Sequence, residues 1–251
     1  YLRGEKTEGL LPLARYVASD LFKVMEGAAY LLTVEPDEEL ERRMDEIIDI
    51  IVAAQAPDGY LYESHIMGSA MVNSADGGTG DKPYSWVVHS HELYNMGHMY
   101  EAAVAYYQAT GKRKWLDAAE KSARHINHVF FEGDPAYNDG KPVNQAPGHQ
   151  EIELALVKLF RVTGDSLYLN MAKRFLDIRG VTYRPDGEGV MAPDYAQQHM
   201  PVREQRTAVG HAVRATYMYS AMADVGALTG DTTLRPALES IWHDIVDRKM
   251  H

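Results

Sequence analysis

The chain has 251 residues and, with 25 Lys+Arg against 36 Asp+Glu, a formal charge of −11. That argues against a nucleic-acid binder, which needs a basic stripe to neutralise phosphates, and it disfavours docking on an anionic membrane surface. No stretch approaches the roughly 18 uncharged apolar residues of a membrane span, and the absence of cysteine removes disulfides, thiolate metal sites and a cysteine nucleophile from this sequence.

Taken in order, the elements repeat. Residues 105–120, 158–173 and 224–234 each carry an apolar helical run, then Thr-Gly (Thr110-Gly111, Thr163-Gly164, Thr229-Gly230), then a second amphipathic run. Glycine after the last turn stops a helix because it alone enters the left-handed conformation without a Cβ penalty. Asp165 and Asp231 follow two of these glycines and are placed to cap the next helix. An earlier, degenerate copy ends at Glu35-Pro36-Asp37, with Pro36 as breaker and Asp37 as cap.

The pattern predicts four helical hairpins: 18–33 with 37–55, 90–109 with 113–129, 149–162 with 166–179, and 208–228 with 232–249. Leu40, Met44, Ile47, Ile48 and Ile51 recur at three and four, as one buried helix face does. No alternating strand pattern competes, so the fold class is all-α, with residues 1–251 forming a single domain. Turns within hairpins are short. The connections between hairpins, about 56–89, 130–148 and 180–207, are long and hold the Gly and Pro signals, which places all long loops at one end of the stack. Six hairpins of ~55–65 residues close a toroid. Four do not, so the sequence predicts an open arc, about four of six hairpins, within a longer protein.

Histidines mark the loop end. His91, His149 and His211 precede the Thr-Gly turns by 19, 14 and 18 residues, which at a 1.5 Å rise puts each ~21–28 Å from the turn end, near the opposite rim. One such histidine is most simply a satisfied helix start. Three in phase predict a polar pocket. His91, Asn95 and His98 fall on one helical face, and Gly97 within that helix signals close approach of a neighbour or ligand. His89-Ser90-His91 has the form of a metal pair, but a site would need converging carboxylates or further histidines, H-x-H is more usual on a strand, and no metal site is assigned. Glu151 is read as a helix-start residue complementing the dipole. Glu153, one turn after His149, is a candidate partner for it in the pocket. For Arg203, Glu204 and Arg206, surface ion pairs compete evenly with hydroxyl binding. Tyr60, Tyr62, Tyr84, Trp86, Tyr94 and Tyr195 lie near the rim, each most simply a packing residue, though sugar rings also pack on such faces. A rim of His, Tyr and Gln on an acidic protein suits a neutral sugar better than a phosphorylated ligand, and no P-loop, dinucleotide fingerprint, G-x-S-x-G or H-E-x-x-H is present.

These residues resemble a known family. Ser90-His91-Glu92-Leu93-Tyr94 with Gly97-His98, Glu101-Ala102-Ala103-Val104-Ala105, Pro147-Gly148-His149-Gln150-Glu151-Ile152-Glu153, and Pro201-Val202-Arg203-Glu204 with Val209-Gly210-His211-Ala212-Val213-Arg214 are similar to glycoside hydrolase family 127, the β-L-arabinofuranosidases. Ser19-Asp20 with Lys23, and Ala54-Gln55-Ala56-Pro57-Asp58-Gly59-Tyr60-Leu61, also match. The resemblance implies an (α/α)6 toroid acting on arabinofuranosides, with a small-molecule or oligosaccharide substrate. By it, His91, His149 and His211 are expected to touch the sugar, with His98 and Glu153 as further substrate-binding candidates. It also implies a retaining mechanism with a cysteine nucleophile, a glutamate acid/base and a zinc held by cysteines and a glutamate, none of which is carried onto residues here. No cofactor is therefore expected within this chain, although zinc is implied for the complete enzyme. Two other readings stand beside it: an inverting hydrolase using two carboxylates among Asp20, Glu92, Glu153 and Glu204, and a non-catalytic helical-repeat arc binding a partner on its concave face.

Overall fold

A computed structural model describes residues 15–66, 78–184 and 193–250. The described residues form helices, turns and loops, with no strand among them. The first hairpin is α1 (Val17–Val34) with α2 (Glu38–Ala54), followed by a single turn, α3 (Glu63–Ile66). The second is α4 (Glu92–Thr110) with α5 (Lys114–Asn127), the third α6 (Ile152–Thr163) with α7 (Ser166–Ile178), and the fourth α8 (Ala212–Thr229) with α9 (Arg235–Arg248). No helix among the described residues is long and apolar enough to cross a membrane.

The Thr-Gly turns explain the repeat. Each threonine hydroxyl donates to the carbonyl four residues back: Thr110 to Tyr106, Thr163 to Leu159, and Thr229 to Val225. The same oxygen accepts the amide two residues on, of Lys112, Asp165 or Asp231. Between them Gly111, Gly164 and Gly230 take φ of 74°, 73° and 71°. One side chain thus ties the last helical turn to the amide that follows the glycine. Asp165 and Asp231 then accept from Leu167 and Thr233, and Asp37 caps α2 through the amides of Glu39 and Leu40.

The first helix of each hairpin packs on the next, in the order α1, α4, α6, α8, while α2, α5, α7 and α9 form an outer row. This is an open arc of an (α/α) toroid. Helix α4 lies between α1 and α6 and is buried from Glu92 through Tyr106, which is why its sequence shows no clean apolar stripe. The core runs between the two rows, through Phe22, Met25, Ile48, Tyr100, Trp115, Leu116, Leu156, Phe175 and Met222.

The helix starts differ from the sequence expectation. Helix α4 begins at Glu92 and α8 at Ala212, so His91 and His211 are N-cap residues. Helix α6 begins only at Ile152, and His149, Gln150 and Glu151 precede it in non-helical conformation. Helix α5 also passes into a π-helical turn over His128–Glu132, which seats Phe130 and Phe131 against Phe175 with ring centroids 5.7 and 4.8 Å apart.

Candidate functional site

The three helix starts bring their histidines together at the end opposite the Thr-Gly turns. The His91 and His149 rings are 5.4 Å apart, and His149 and His211 are 6.2 Å apart. Tyr94 packs among them, 4.2 Å from His149, 4.6 Å from His98 and 5.4 Å from His91. Tyr217 of α8 closes the other side, 6.0 Å from His149 and 6.1 Å from His98.

Backbone geometry fixes each ring. His91 has φ 61°, ψ 15°, a left-handed conformation rare for a residue with a Cβ. Its Nδ1 contacts the His89 carbonyl at 2.9 Å, and the Nδ1 of His149 contacts the Gln150 carbonyl at 2.6 Å. A carbonyl only accepts, so both Nδ1 atoms carry the proton and both Nε2 atoms are acceptors. His211 is the reverse: its Nδ1 accepts the Arg214 amide at 3.4 Å, which leaves Nε2–H as donor. Gly148 allows the loop before α6 to lie on the loop before α4, since a Cβ there would fall 2.0 Å from the Val88 carbonyl oxygen.

The strain at residue 91 predicts a measurable ordering. His91→Gly should be more stable than His91→Ala by about 1 kcal/mol, because both lose the ring but only alanine keeps the left-handed penalty. Urea denaturation of the two variants checks it.

Cations surround the cluster. Lys23 donates to the Tyr94 hydroxyl at 2.8 Å. Arg214, stacked 4.8 Å over Tyr195, donates to the Gly148 carbonyl at 2.8 Å. Burial, then the Arg214 guanidinium, pushes His149 down to about 3. Burial, then Lys23 and Lys158, does the same for His98, also to about 3. His91 is held well below its ordinary value by burial, then Arg15 and His149, and His211 is lowered by burial and Arg214. The four imidazoles are therefore neutral at physiological pH.

This has a pH consequence. Unfolded imidazoles titrate near 6.5. Between about 3 and 6.5 the unfolded chain binds protons that the fold refuses, so the stability these histidines lend is lost as pH falls through that window. Two buried carboxyls work in the opposite sense. Glu63, raised by burial to about 7, and Glu151, raised by burial and the Glu101 carboxylate, lend stability at low pH that is lost as pH rises past the ordinary carboxylate range. His149→Gln should flatten the rise of stability between pH 4.5 and 6.5 by up to ~1.4 kcal/mol per pH unit, measured by urea unfolding at several pH values.

The other candidates separate. His98 lies behind Tyr94 and faces two acids: its Nδ1 is 3.7 Å from Glu101 and 3.6 Å from Glu151. Glu153 does not join the imidazoles. Its carboxylate takes Arg179 at 2.8 Å, and both side chains are within 1% of complete burial. Glu92 accepts from the Tyr60 and Ser90 hydroxyls and the Tyr84 amide, tying the loop before α4 to the helix. Asp20 and Glu204 are exposed. The four carboxylates of the inverting alternative are thus either committed to buried networks or directed to solvent. Arg203 bridges Asp177 and Asp231 at 2.7 and 2.8 Å, the surface-pair outcome.

Glu151 departs most from the sequence reading. It occupies the N-cap position of α6 but its side chain caps nothing; it turns across α4 over Gly97. A Cβ on Gly97 would lie 2.6 Å from its Cγ. Gly97 was the sequence signal for this approach. Glu101 and Tyr217 carried no signal of their own.

The zinc implied by the resemblance needs thiolates. The chain has no cysteine, and the buried His98, Glu101 and Glu151 offer only imidazole nitrogen and carboxylate oxygen. That donor set does not match a cysteine-based site, and no chemical step is derived through such a zinc.

The geometry can be set beside known proteins. Residues 14–251 match the family model described as β-L-arabinofuranosidase, GH127 catalytic domain. The chain is 39% identical to a non-reducing end β-L-arabinofuranosidase of Bifidobacterium longum subsp. longum, across 93% of this chain and 36% of that protein. Among solved structures it superposes on a GH127 β-arabinofuranosidase at TM-score 0.85 and 43% identity, covering all of this chain and 37% of that one. A GH127 β-L-arabinofuranosidase from Geobacillus stearothermophilus T6 gives 0.86 and 38%, covering all of this chain and 39% of that one. The chain therefore spans a little over a third of these relatives' length. With an arc of helical hairpins and a histidine crown, and a family match running from residue 14 to its last residue, the chain belongs to the GH127 β-L-arabinofuranosidase catalytic-domain family.

Proposed function

We propose that this chain is the sugar-recognising part of a retaining β-L-arabinofuranosidase, with His91, His149 and His211 contacting the terminal arabinofuranose and His98 backing them through Tyr94. The observation that carries it is the neutral imidazole triad, with rings 5.4 and 6.2 Å apart around Tyr94. Two Nε2 acceptors and one Nε2–H donor suit the hydroxyls of an uncharged furanose, and the Tyr94 and Tyr217 rings offer apolar faces. Glu153, a substrate-binding candidate by sequence, enters as support: with Arg179 it braces the segment that holds His149. The family and the names of its relatives point to the same substrate class.

In this reading the nucleophile and the acid/base implied by the family resemblance are supplied by the intact protein outside these 251 residues. The test is hydrolysis of p-nitrophenyl β-L-arabinofuranoside. The intact protein should release nitrophenolate, with little turnover of the α-L anomer. The 251-residue chain alone should give none, because binding groups without a nucleophile supply no covalent step. An intact protein inactive on the β-L-arabinofuranoside overturns the substrate assignment, and turnover by the isolated chain overturns the placement of the reacting groups.

A further inference from the structure

Behind the imidazole crown, His98 and Glu101 of α4 meet Glu151, which precedes α6. We propose that His98 Nδ1, Glu101 Oε2 and Glu151 Oε1 bind a divalent first-row transition-metal ion.

Distances come first. The His98 Nδ1 stands 3.7 Å from Glu101 Oε2 and 3.6 Å from Glu151 Oε1, and the three residues each offer a ligand atom within 4.8 Å of the others. Separations of 3.6–3.7 Å are too long for hydrogen bonds. They are close to the edge of about 3.4 Å expected for tetrahedral coordination with bonds of ~2.0–2.2 Å.

The second observation is independent of the acids. His98 is 3% exposed, and neither of its ring nitrogens has a hydrogen-bond partner; the same holds for both oxygens of Glu151, 1% exposed. Buried polar groups are nearly always paired, so such a group calls for an explanation, an absent ion among them. His98 is neutral, the state in which imidazole ligates metal.

Charge and backbone agree. The other oxygen of Glu101 takes Lys158 at 2.5 Å, and Lys158 also reaches Glu26 at 3.3 Å. One cation therefore serves two acids: Lys158 acts on Glu151 only from a distance, and among the described residues no lysine or arginine forms an ion pair with it. A buried carboxylate must either keep a proton or gain a cation. Gly97, a costly residue inside a helix, supplies the clearance that lets Glu151 lie beside His98. One nitrogen and two carboxylate oxygens suit Mn²⁺, Fe²⁺ or Zn²⁺.

The test uses the intact protein, stripped with chelator and re-equilibrated with MnCl₂ or ZnCl₂ alone. The parent should bind one equivalent more than Glu151→Gln, and its unfolding temperature should rise with metal by several degrees more than that of Glu151→Gln. If that variant does not fold, His98→Gln carries the same comparison. X-ray absorption on the Mn²⁺-loaded parent gives a reading independent of any variant, with a shell of nitrogen and oxygen expected. A parent that takes no Mn²⁺ or Zn²⁺, a metal response equal in parent and variants, or an absorption shell lacking nitrogen overturns the proposal. Glu101 and Glu151 would then share a proton and nothing more.

Discussion

Replacing His149 with alanine should lower kcat/KM on a β-L-arabinofuranoside by about 100-fold, ~3 kcal/mol. His149 is the middle ring of the crown, between His91 and His211, and its Nδ1 is committed to the Gln150 carbonyl. Only Nε2 is left to meet a sugar hydroxyl. Removing it leaves that hydroxyl without its protein partner, at a cost of ~1–3 kcal/mol, and removes the ring packed 4.2 Å from Tyr94. Tenfold in rate corresponds to ~1.4 kcal/mol, so the two losses together account for about two orders of magnitude. Because burial and Arg214 hold this imidazole down at about 3, activity should show no loss assignable to His149 between pH 5 and 8. Kinetics of the intact enzyme against pH, with and without the substitution, check both parts. A variant of unchanged kcat/KM would remove His149 from the sugar site.

The largest expected effect on stability lies at Arg179. Arg179→Met should destabilise the fold by about 3–5 kcal/mol, because it leaves the Glu153 carboxylate buried without its cation. Arg179 is fully buried, donates to Glu153 at 2.8 Å and to the Ala196 carbonyl at 3.2 Å. Ala196 in turn accepts from Gln150, the residue next to His149, at 3.0 Å. Losing the pair therefore loosens the segment that aims the middle imidazole. The double variant Glu153→Leu/Arg179→Met should recover much of the lost stability, since two apolar groups leave no stranded charge. Urea unfolding of the single and double variants measures this, and equal losses in the two would show that packing, not charge, sets the cost.

The hairpins were legible because Thr-Gly is a local device: hydroxyl and glycine act within a few residues, and its three copies reinforce one another, with Pro36 and Asp37 marking the fourth turn. The clustering of His91, His149 and His211 was legible because counting back from those turns along a rod of known rise lands on one rim. What lay beyond reach was decided by contacts distant in sequence. Glu151 has the local credentials of a helix-start acid, yet its side chain answers to Gly97 and His98, more than fifty residues earlier. Glu153 carries no mark distinguishing a pocket acid from a partner of Arg179, since the helix that supplies Arg179 is placed only by packing. The late start of α6 has the same origin. Gly148 must lie flat on Val88, so the chain stays non-helical past His149 where periodicity alone would have begun coiling.

The Thr-Gly turns leave the two ends of the stack with unequal freedom to change. At the turn end each connection is a few residues long and the threonine hydroxyls and capping aspartates there are committed to the backbone, so an inserted residue displaces two rods at once. At the crown the connections run for tens of residues between rods already held in place from below. Insertions and substitutions in those upper connections should therefore carry little penalty to folding, while the same changes in the lower bends should be costly.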